Sequence, residues 1–326
     1  MLGEFDLIDR YFAPLAARAP GAFGLDNDAA VFDLAPGYSV VVTADAMVEG
    51  VHFLPGDPGG LVARKLLRVN LSDLAAMGAE ARSYVLALAL PPKLDEAWVA
   101  AFAEGLRVDQ DEFGINLLGG DTVKTPGPLT LALTAFGEVP VGMALTRSGA
   151  RAGDDIYVSG SIGDGALGLK ALRGELAGLA SADREALAER YHLPRPRLAL
   201  GRALAAQRLA TAALDVSDGL VADLGHIAVG SGLAAEINAA AVPLSSAARA
   251  ALDSDPALRE AILGGGDDYE LLFTAPPGAA AAIATLAAAL ALPLTRIGTM
   301  AAGAGVRTVD EAGAQIPLKN AGWNHF

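Results

Sequence analysis

The stretch that most constrains the fold of this chain is residues 38–53, YSVVVTADAMVEGVHF. Its first half, residues 40–43, is apolar and β-branched, a composition that predicts a strand buried on both faces. Polar side chains follow as the strand ends, namely Asp45, Glu49 and His52. In α/β proteins a strand fixes the backbone and the loop after it directs side chains at a ligand. The stretch therefore predicts a functional site.

Four other segments combine carboxylates with glycine, serine or an apolar run in the same way. They are GLDND at 24–28, NLSD at 70–73, GGDT at 119–122 and DVSDG at 215–219. Any one of them is also typical of turns and helix N-caps. If several converge, however, unit charges about 4 Å apart repel by roughly 4 kcal/mol per pair at an effective dielectric near 20. Such a pocket would destabilise the fold unless cations occupied it.

The ligand chemistry of these clusters favours magnesium. Carboxylate and hydroxyl oxygens without Cys or His partners suit Mg²⁺ better than zinc. Magnesium held by a few carboxylates completes its shell with water and phosphate. The clusters thus predict a magnesium-dependent nucleotide or phosphate site.

Length and composition limit the remaining possibilities. A chain of 326 residues, 52% hydrophobic and 19% charged, is expected to fold with ample core, as about two domains. A net charge of −14 argues against a nucleic-acid or anionic-membrane surface. The absence of cysteine excludes disulfides, zinc-thiolate sites and thiol nucleophiles. With no signal-type N-terminus and no uninterrupted run of about 18 apolar residues, we expect a soluble, cytoplasmic protein.

Helical and strand patterns alternate along both halves of the chain. Helices are predicted at 2–19, 61–77, 95–109, 165–172 and 220–229, and strands at 29–33, 38–44, 83–90, 115–118, 129–139, 156–159, 214–216 and 269–274. This alternation predicts the α/β class with mixed sheets. The polar segment 147–155 suggests a boundary, giving an N-terminal domain at 1–147 and a C-terminal α/β domain at 148–326.

Familiar nucleotide motifs are largely absent. The sequence has no G-x-x-x-x-G-K-[ST] and no H-R-D or D-F-G set. One G-x-G-x-x-G, at 163–168, follows a predicted strand and opens a helix, but the acid about 20 residues on is only Asp183, in a helical pattern. We interpret these glycines as a tight turn whose N–H groups can approach a phosphate.

Three further residues have two readings each. His52 is a structural histidine or a phosphate donor. Arg147 is a bidentate phosphate clamp or a solvated charge at the domain boundary. Trp323 is an aromatic lid that stacks on a heterocycle or a core residue.

Taken together, the motifs resemble those of one known family, the thiamine-monophosphate kinases, which belong with the aminoimidazole ribonucleotide synthetases and selenophosphate synthetases. The resemblance covers nearly the whole chain. It is carried by GEF at 3–5, the loop at Asp28, DAMVEGVHF at 45–53, VNLSDLAAMGA at 69–79, GGDT at 119–122, LTRSGARAGD at 145–154, LDVSDGL at 214–220, GGDDYELLF at 265–273 and the terminal HF.

The resemblance implies transfer of the γ-phosphoryl of ATP to thiamine monophosphate, with several Mg²⁺ ions and no covalent or general-base residue. The implied metal ligands are Asp28, Thr43, Asp45, Asp73, Asp121, Asp215 and Asp218. The implied ATP contacts are Gly120, Asp121, Arg147 and Ser217, and those to thiamine monophosphate are His52, Asp267 and Trp323. The implied fold has two α/β halves, with the N-terminal halves pairing into a homodimer through a β-barrel-like interface.

Three positions depart from the family pattern. Asn27 precedes Asp28 where two acids are frequent, and Ala44 stands where a hydroxyl is common. Asn320 aligns with a substrate-holding aromatic, which leaves Trp323 as the substitute. Two other functions stay open at this point: a synthetase-like ligase that releases inorganic phosphate, and a non-catalytic nucleotide- or metal-binding scaffold.

Overall fold

The computed structural model describes residues 3–25, 27, 29–318 and 322. The chain divides into two compact units, residues 1–74 with 79–142, and residues 75–78 with 143–326. Both units combine helices with a sheet, so the predicted α/β class with mixed sheets is confirmed. None of the helices in the described ranges is long and apolar enough to cross a membrane.

The first unit has a four-stranded sheet in the order β1-β4-β2-β3. Its elements are α1 (Glu4–Leu7), a π-helical and two 3₁₀ segments up to Leu25, β1 (Tyr38–Val48), α2 (Gly59–Ala76), β2 (Glu80–Leu90), α3 (Glu96–Phe113), β3 (Asn116–Lys124) and β4 (Thr130–Pro140). β4 is antiparallel to β1 and β2, whereas β3 is parallel to β2. The inner core contains fully buried leucines of α2, such as Leu66 and Leu71, and of β4, such as Leu131 and Leu133.

β1 is not buried on both faces, so that prediction is wrong. Val41 and Met47 are buried, but Val40 is 36% and Val42 is 56% exposed. The strand lies at one edge of the sheet, and its even-numbered side chains point to the outer face. Apolar composition alone cannot tell a strand covered on both faces from one whose second face is exposed.

Two other strand boundaries also differ from prediction. Residues 29–33 form no strand; instead Val31 donates an N–H to Gly21, and Phe32 packs on Phe136 with ring centroids 5.5 Å apart. β3 does not stop before the GGDT motif but continues through it to Lys124. Glycine permits this, because a Cβ at Gly120 would lie 1.9 Å from the Leu86 carbonyl oxygen.

The second unit has a six-stranded sheet in the order β10-β7-β9-β5-β8-β6. Its elements are β5 (Asp155–Ser159), α4 (Asp164–Leu172), α5 (Ser181–His192), α6 (Leu198–Ala206), β6 (Ala212–Asp215), α7 (Leu220–Ser231), β7 (Ala234–Asn238), α8 (Ser246–Ser254), α9 (Leu258–Gly264), β8 (Leu271–Ala275), α10 (Ala280–Leu290), β9 (Leu294–Ala301) and β10 (Gly305–Val309). β10 is parallel to β7, and the other pairs are antiparallel.

This second sheet separates two apolar cores. Ile156 and Val158 of β5 face one core, while Tyr157 faces the other and stacks on Phe273, with ring centroids 5.4 Å apart. Burial on both faces explains why β5 and β8 read as continuous apolar runs. The predicted functional acids of this unit lie where β6 ends and just before β8 begins.

Candidate functional site

In the first unit, Thr43, Asp45 and Asp73 lie together. Thr43 and Asp45 share the inner face of β1 with buried Val41 and Met47, and this face is directed towards α2. The Thr43 hydroxyl donates a hydrogen bond to the Asp73 carboxylate. Burial, followed by repulsion from and hydrogen bonding to Asp73, raises the pKa of Asp45 to about 7. The predicted convergence of acids is thus present here as a pair.

The donor set of this pair fits a hard cation. Across residues 3–25, 27, 29–318 and 322, three or more Asp, Glu or His side chains do not gather into a group that could hold a metal by themselves. Magnesium, however, is usually held by one or two carboxylates together with water and substrate phosphate. Asp45, Asp73 and the Thr43 hydroxyl supply that number of oxygens. The predicted ligand Asp28 lies outside the described residues.

Gly120 and Asp121 lie elsewhere on the same sheet. Asp45 pairs with Leu133, Leu133 with Leu86, and Leu86 with Gly120, so three strand spacings of about 4.8 Å each separate Asp45 from Gly120 along the sheet. Gly120 and Asp121 border a cavity of about 430 Å³. Its other walls are mainly apolar and include Ile8, Phe12, Leu118 and Phe136. This cavity has the size and mixed lining of a small-molecule site.

His52 is held by the turn that follows β1. Its Nδ1 accepts a hydrogen bond from the Val48 N–H at 3.1 Å, and its carbonyl oxygen accepts one from Lys65 Nζ at 3.4 Å. Because Nδ1 acts as an acceptor, the proton of the neutral ring is on Nε2. The structure therefore shows a ring fixed by its own turn, and binding of a phosphate by His52 stays a prediction.

In the second unit, the Ser217-Asp218 turn connects β6 to α7. A carboxylate that the sequence pattern did not single out, that of Asp223, accepts hydrogen bonds from the N–H groups of Ser217, Asp218 and Gly219, each at 3.0 Å. Burial raises the pKa of Asp223 to about 7, although these N–H groups oppose the shift. An acid in the first turn of the helix after DVSDG was the available signal, since such residues commonly cap exposed amides.

Asp267 lies against the same turn. Its N–H donates to the Ser217 carbonyl oxygen at 2.9 Å, and a Cβ at Gly266 would lie 2.1 Å from that oxygen. Asp215, only 4% exposed, ends β6 and pairs with Leu271. Four predicted site residues of this unit, Asp215, Ser217, Asp218 and Asp267, are therefore close in space as well as near strand ends.

The glycine-rich turn at 163–168 does bind an acidic group, but that group belongs to the chain. Asp268 is 2% exposed and accepts hydrogen bonds from the Gly163 N–H at 2.7 Å and the Gly165 N–H at 3.0 Å. Burial raises the pKa of Asp268 well above its usual value, and the two N–H groups oppose this shift. The interpretation of these amides as a phosphate contact is wrong, because an internal carboxylate uses them.

A buried ionic network lies beside this turn and was also missed from sequence. Glu270 has no exposed surface and accepts hydrogen bonds from Ser159 Oγ at 2.5 Å, Arg190 Nη2 at 3.0 Å and Arg197 Nε at 2.6 Å. More than 70 residues separate Glu270 from either arginine in sequence, so no local pattern could connect them.

Two predicted residues gain less from the structure. Arg147 is exposed, and its backbone lies near Gly230, where a Cβ would be 3.3 Å from the Arg147 carbonyl oxygen. Trp323 lies outside the described residues. Both keep the roles predicted from the sequence as predictions.

Comparison with known proteins places this geometry in a family. Residues 26–139 match the N-terminal domain of AIR synthase related proteins, and residues 151–311 match the C-terminal domain. The thiamine-monophosphate kinase of Caulobacter vibrioides is 45% identical over 99% of this chain and 90% of its own length.

Solved structures give the same result. The crystal structure of thiamine-monophosphate kinase from Stenotrophomonas maltophilia K279a has a TM-score of 0.83 and 46% identity, and covers 94% of this chain and 96% of its own. A structure described as AaThiL complexed with AMPPCP and TMP has a TM-score of 0.78 and 31% identity, and covers 100% of this chain and 97% of its own. The chain therefore belongs to the thiamine-monophosphate kinase family, within the AIR synthase related proteins.

Proposed function

We propose that this protein transfers the γ-phosphoryl group of ATP to thiamine monophosphate, giving thiamine diphosphate and ADP. The observation that carries the proposal is full-length similarity, at 45% identity, to a thiamine-monophosphate kinase. The AaThiL complex, 31% identical to this chain, adds an AMPPCP and a TMP bound to one protein of this fold. The terminal phosphate of thiamine monophosphate is ionised near neutral pH, so its oxygen can attack without a strong general base.

The two acidic regions would hold magnesium. Thr43, Asp45 and Asp73 would do so in the first unit, together with Asp28 and Asp121, and Asp215 and Asp218 would do so in the second. When bound, magnesium neutralises charge on the phosphate oxygens, which is most of what phosphoryl transfer requires from its catalyst. The protein itself would hold its metal-binding oxygens in place before the substrate binds, as the hydrogen bond from Thr43 to Asp73 does.

Each substrate has a complementary surface. The cavity beside Gly120 and Asp121 would take the adenosine part of ATP, since its apolar walls suit a heterocycle. Arg147 and Ser217 would contact the phosphates. His52, Asp267 and Trp323 would hold thiamine monophosphate, and the Asp267 carboxylate complements the cationic thiazolium and the amino group of the pyrimidine.

The cavity assignment has its own test. Ala29 is exposed and lines the cavity, so Ala29→Trp would fill its mouth without disturbing the core. We expect the KM for ATP to rise by roughly fivefold or more while the KM for thiamine monophosphate stays within about twofold. An equal rise in both KM values would show that the cavity is not the binding site for ATP.

The proposed reaction is tested by identifying products. Purified protein is incubated with ATP, Mg²⁺ and thiamine monophosphate, and the mixture is separated by chromatography. Thiamine diphosphate and ADP in equal amounts support the proposal. Free inorganic phosphate without thiamine diphosphate would indicate a ligase-type reaction, and no ATP turnover would indicate a scaffold.

A homodimer and a cytoplasmic location complete the proposal. The outer face of β1 carries exposed Tyr38, Val40 and Val42, a row of apolar side chains at a sheet edge. Such a row favours association with another copy, because burying it removes apolar surface from water.

A further inference from the structure

Residues 267–270 alternate between two kinds of position. Asp267 and Tyr269 are partly exposed and have positive φ angles of 70° and 53°, in the left-handed region that non-glycine residues rarely adopt. Asp268 and Glu270, between and after them, are 2% and 0% exposed. Each left-handed residue is therefore followed directly by a buried acid.

Hydrogen bonds fix this segment from several sides. The N–H groups of Asp267 and Tyr269 donate to the carbonyl oxygens of Ser217 and Val216, at 2.9 and 2.8 Å. The Tyr269 hydroxyl also contacts Asp267 Oδ1 at 3.3 Å. A left-handed non-glycine residue costs on the order of 1 to 3 kcal/mol and persists only where its surroundings over-determine it.

The two buried acids connect the segment to separate parts of the second unit. Asp268 binds the N–H groups of Gly163 and Gly165 at the start of α4. Glu270 binds Ser159 of β5 and the guanidinium groups of Arg190 and Arg197. The two carboxylates thus bind the segment to the start of α4, to β5 and to two arginines.

We infer that Asp268 and Glu270 are positioning residues, which hold Asp267 in its left-handed conformation so that its carboxylate is presented to the thiamine moiety. The inference rests on the proposed function for the role of Asp267, and it adds residues that touch no substrate. It explains why two carboxylates are buried here although their burial costs stability: their N–H and guanidinium partners fix the backbone that follows Asp267.

A double-mutant cycle tests this inference. Asp268→Asn, which keeps the shape but replaces one of the two acceptor oxygens with an NH2 donor, should raise the KM for thiamine monophosphate roughly tenfold and leave the KM for ATP within about twofold. If Asp268 acts through Asp267, adding Asp268→Asn to Asp267→Asn should raise that KM by no more than about twofold further. Additive effects, or equal rises in both KM values, would overturn the inference.

The chain offers a matched control and a milder variant. Asp310 also accepts hydrogen bonds from two backbone N–H groups, those of Ala312 and Ala314 at 2.9 and 2.8 Å, but in a surface turn, so Asp310→Asn should leave both KM values unchanged.

Ser159→Ala removes one donor to Glu270 and should raise the KM for thiamine monophosphate roughly threefold. This variant covers the case that Asp268→Asn does not fold.

A second readout does not depend on activity. Hydrogen exchange of the Asp267 and Tyr269 amides should accelerate in Asp268→Asn relative to wild type, whereas amides of β5 should not. Unchanged exchange would contradict the positioning role. A wild-type protein that makes no thiamine diphosphate would instead refute the proposed function, while the exchange measurement would still decide whether Asp268 fixes the segment.

Discussion

At the scale of single residues, Asp45 and Asp73 connect the chemistry of the protein to its stability. Burial, and after it the proximity of Asp73, raises the pKa of Asp45, so the ionised pair is costly in the folded chain. A cation bound by such carboxylates would remove their repulsion, and this relief would add to the affinity for the cation. Features that weaken the metal-free fold are thus the same ones that would hold magnesium.

The first prediction concerns catalysis by this pair. Asp45→Asn and Asp73→Asn should each lower kcat at least about a hundredfold, roughly 2.7 kcal/mol of barrier, because each removes a charged oxygen ligand. Asp111→Asn is the control: this acid is exposed, pairs with Arg18 and Arg107, and should leave kcat unchanged. Steady-state kinetics with excess Mg²⁺ measure both. Near-native turnover in a folded Asp45 or Asp73 variant would contradict the shared-metal hypothesis.

The second prediction is a pH dependence of stability. Native Asp45 keeps its proton to higher pH than the unfolded chain does, so between about pH 4 and 7 the native state binds more protons, and the stability contributed by this group falls as pH rises. Asp45→Asn removes that loss. With chelator present, the variant should exceed wild type in unfolding free energy by on the order of 1 to 3 kcal/mol at about pH 8.

The gap should shrink at about pH 5, where Asp45 is largely protonated in the wild type. Denaturant titrations at both pH values provide the measurement. A gap that stays constant across this range would show that the gain does not come from the Asp45 charge.

At the scale of elements, the glycine that begins the β5 to α4 turn is required by Glu270. Gly160 has a φ of 59°, and a Cβ there would lie 2.2 Å from Glu270 Oε1. Glu270 cannot move away without losing Ser159, Arg190 and Arg197. Gly174 also has a positive φ, of 77°, but a Cβ there meets nothing within 4 Å.

These two glycines make a matched pair for the third prediction. Gly174→Ala should cost about 1 kcal/mol of unfolding free energy, from backbone strain alone. Gly160→Ala should cost roughly 2 kcal/mol more, because overpacking against a fixed carboxylate adds to that strain. Chemical denaturation of both variants gives the difference. Equal costs would mean that the Glu270 network is deformable.

Local sequence patterns were enough to predict the four strands of the first sheet and the helices α2 and α3. The apolar periodicity of α2 and the acids at the end of β6 are both encoded within a few residues. They could be predicted because helix spacing and strand-end placement are short-range effects.

The supports of the site could not be predicted in this way. Asp268 and Gly163 are 105 residues apart, and Glu270 and Arg190 are 80 residues apart. In sequence, Asp268 and Glu270 read as members of one acidic motif with Asp267, although Asp268 and Glu270 are buried and Asp267 is partly exposed. Which acid of the motif is buried depends on tertiary contacts, and the positive φ angles of Asp267 and Tyr269 are likewise not encoded in the motif itself.

At the scale of the whole molecule, the exposed face of β1 leads to the fourth prediction. Val42→Lys puts a charge at the most exposed residue of that apolar row and should convert a homodimer of two 33.0 kDa chains into monomers. Val229→Lys is the control, since Val229 is 81% exposed on α7 of the other unit. Light scattering at micromolar concentration distinguishes monomers from dimers in each variant. An active wild-type monomer, or dimers in Val42→Lys, would refute the proposed interface.

The final prediction concerns the route of the phosphoryl group through the molecule. The chain has no cysteine, and Nδ1 of the His52 ring accepts the Val48 N–H, so this nitrogen is already engaged by its own turn. The acids of both units are assigned to metal or to support, which leaves direct in-line transfer as the expected route. One displacement inverts the phosphorus centre, whereas two displacements through a phosphorylated residue retain its configuration. With ATP made chiral at the γ-phosphorus, thiamine diphosphate should form with inversion. Retention, or a phosphorylated chain trapped with ATP alone, would mean that one aspartate assigned here to metal is the nucleophile.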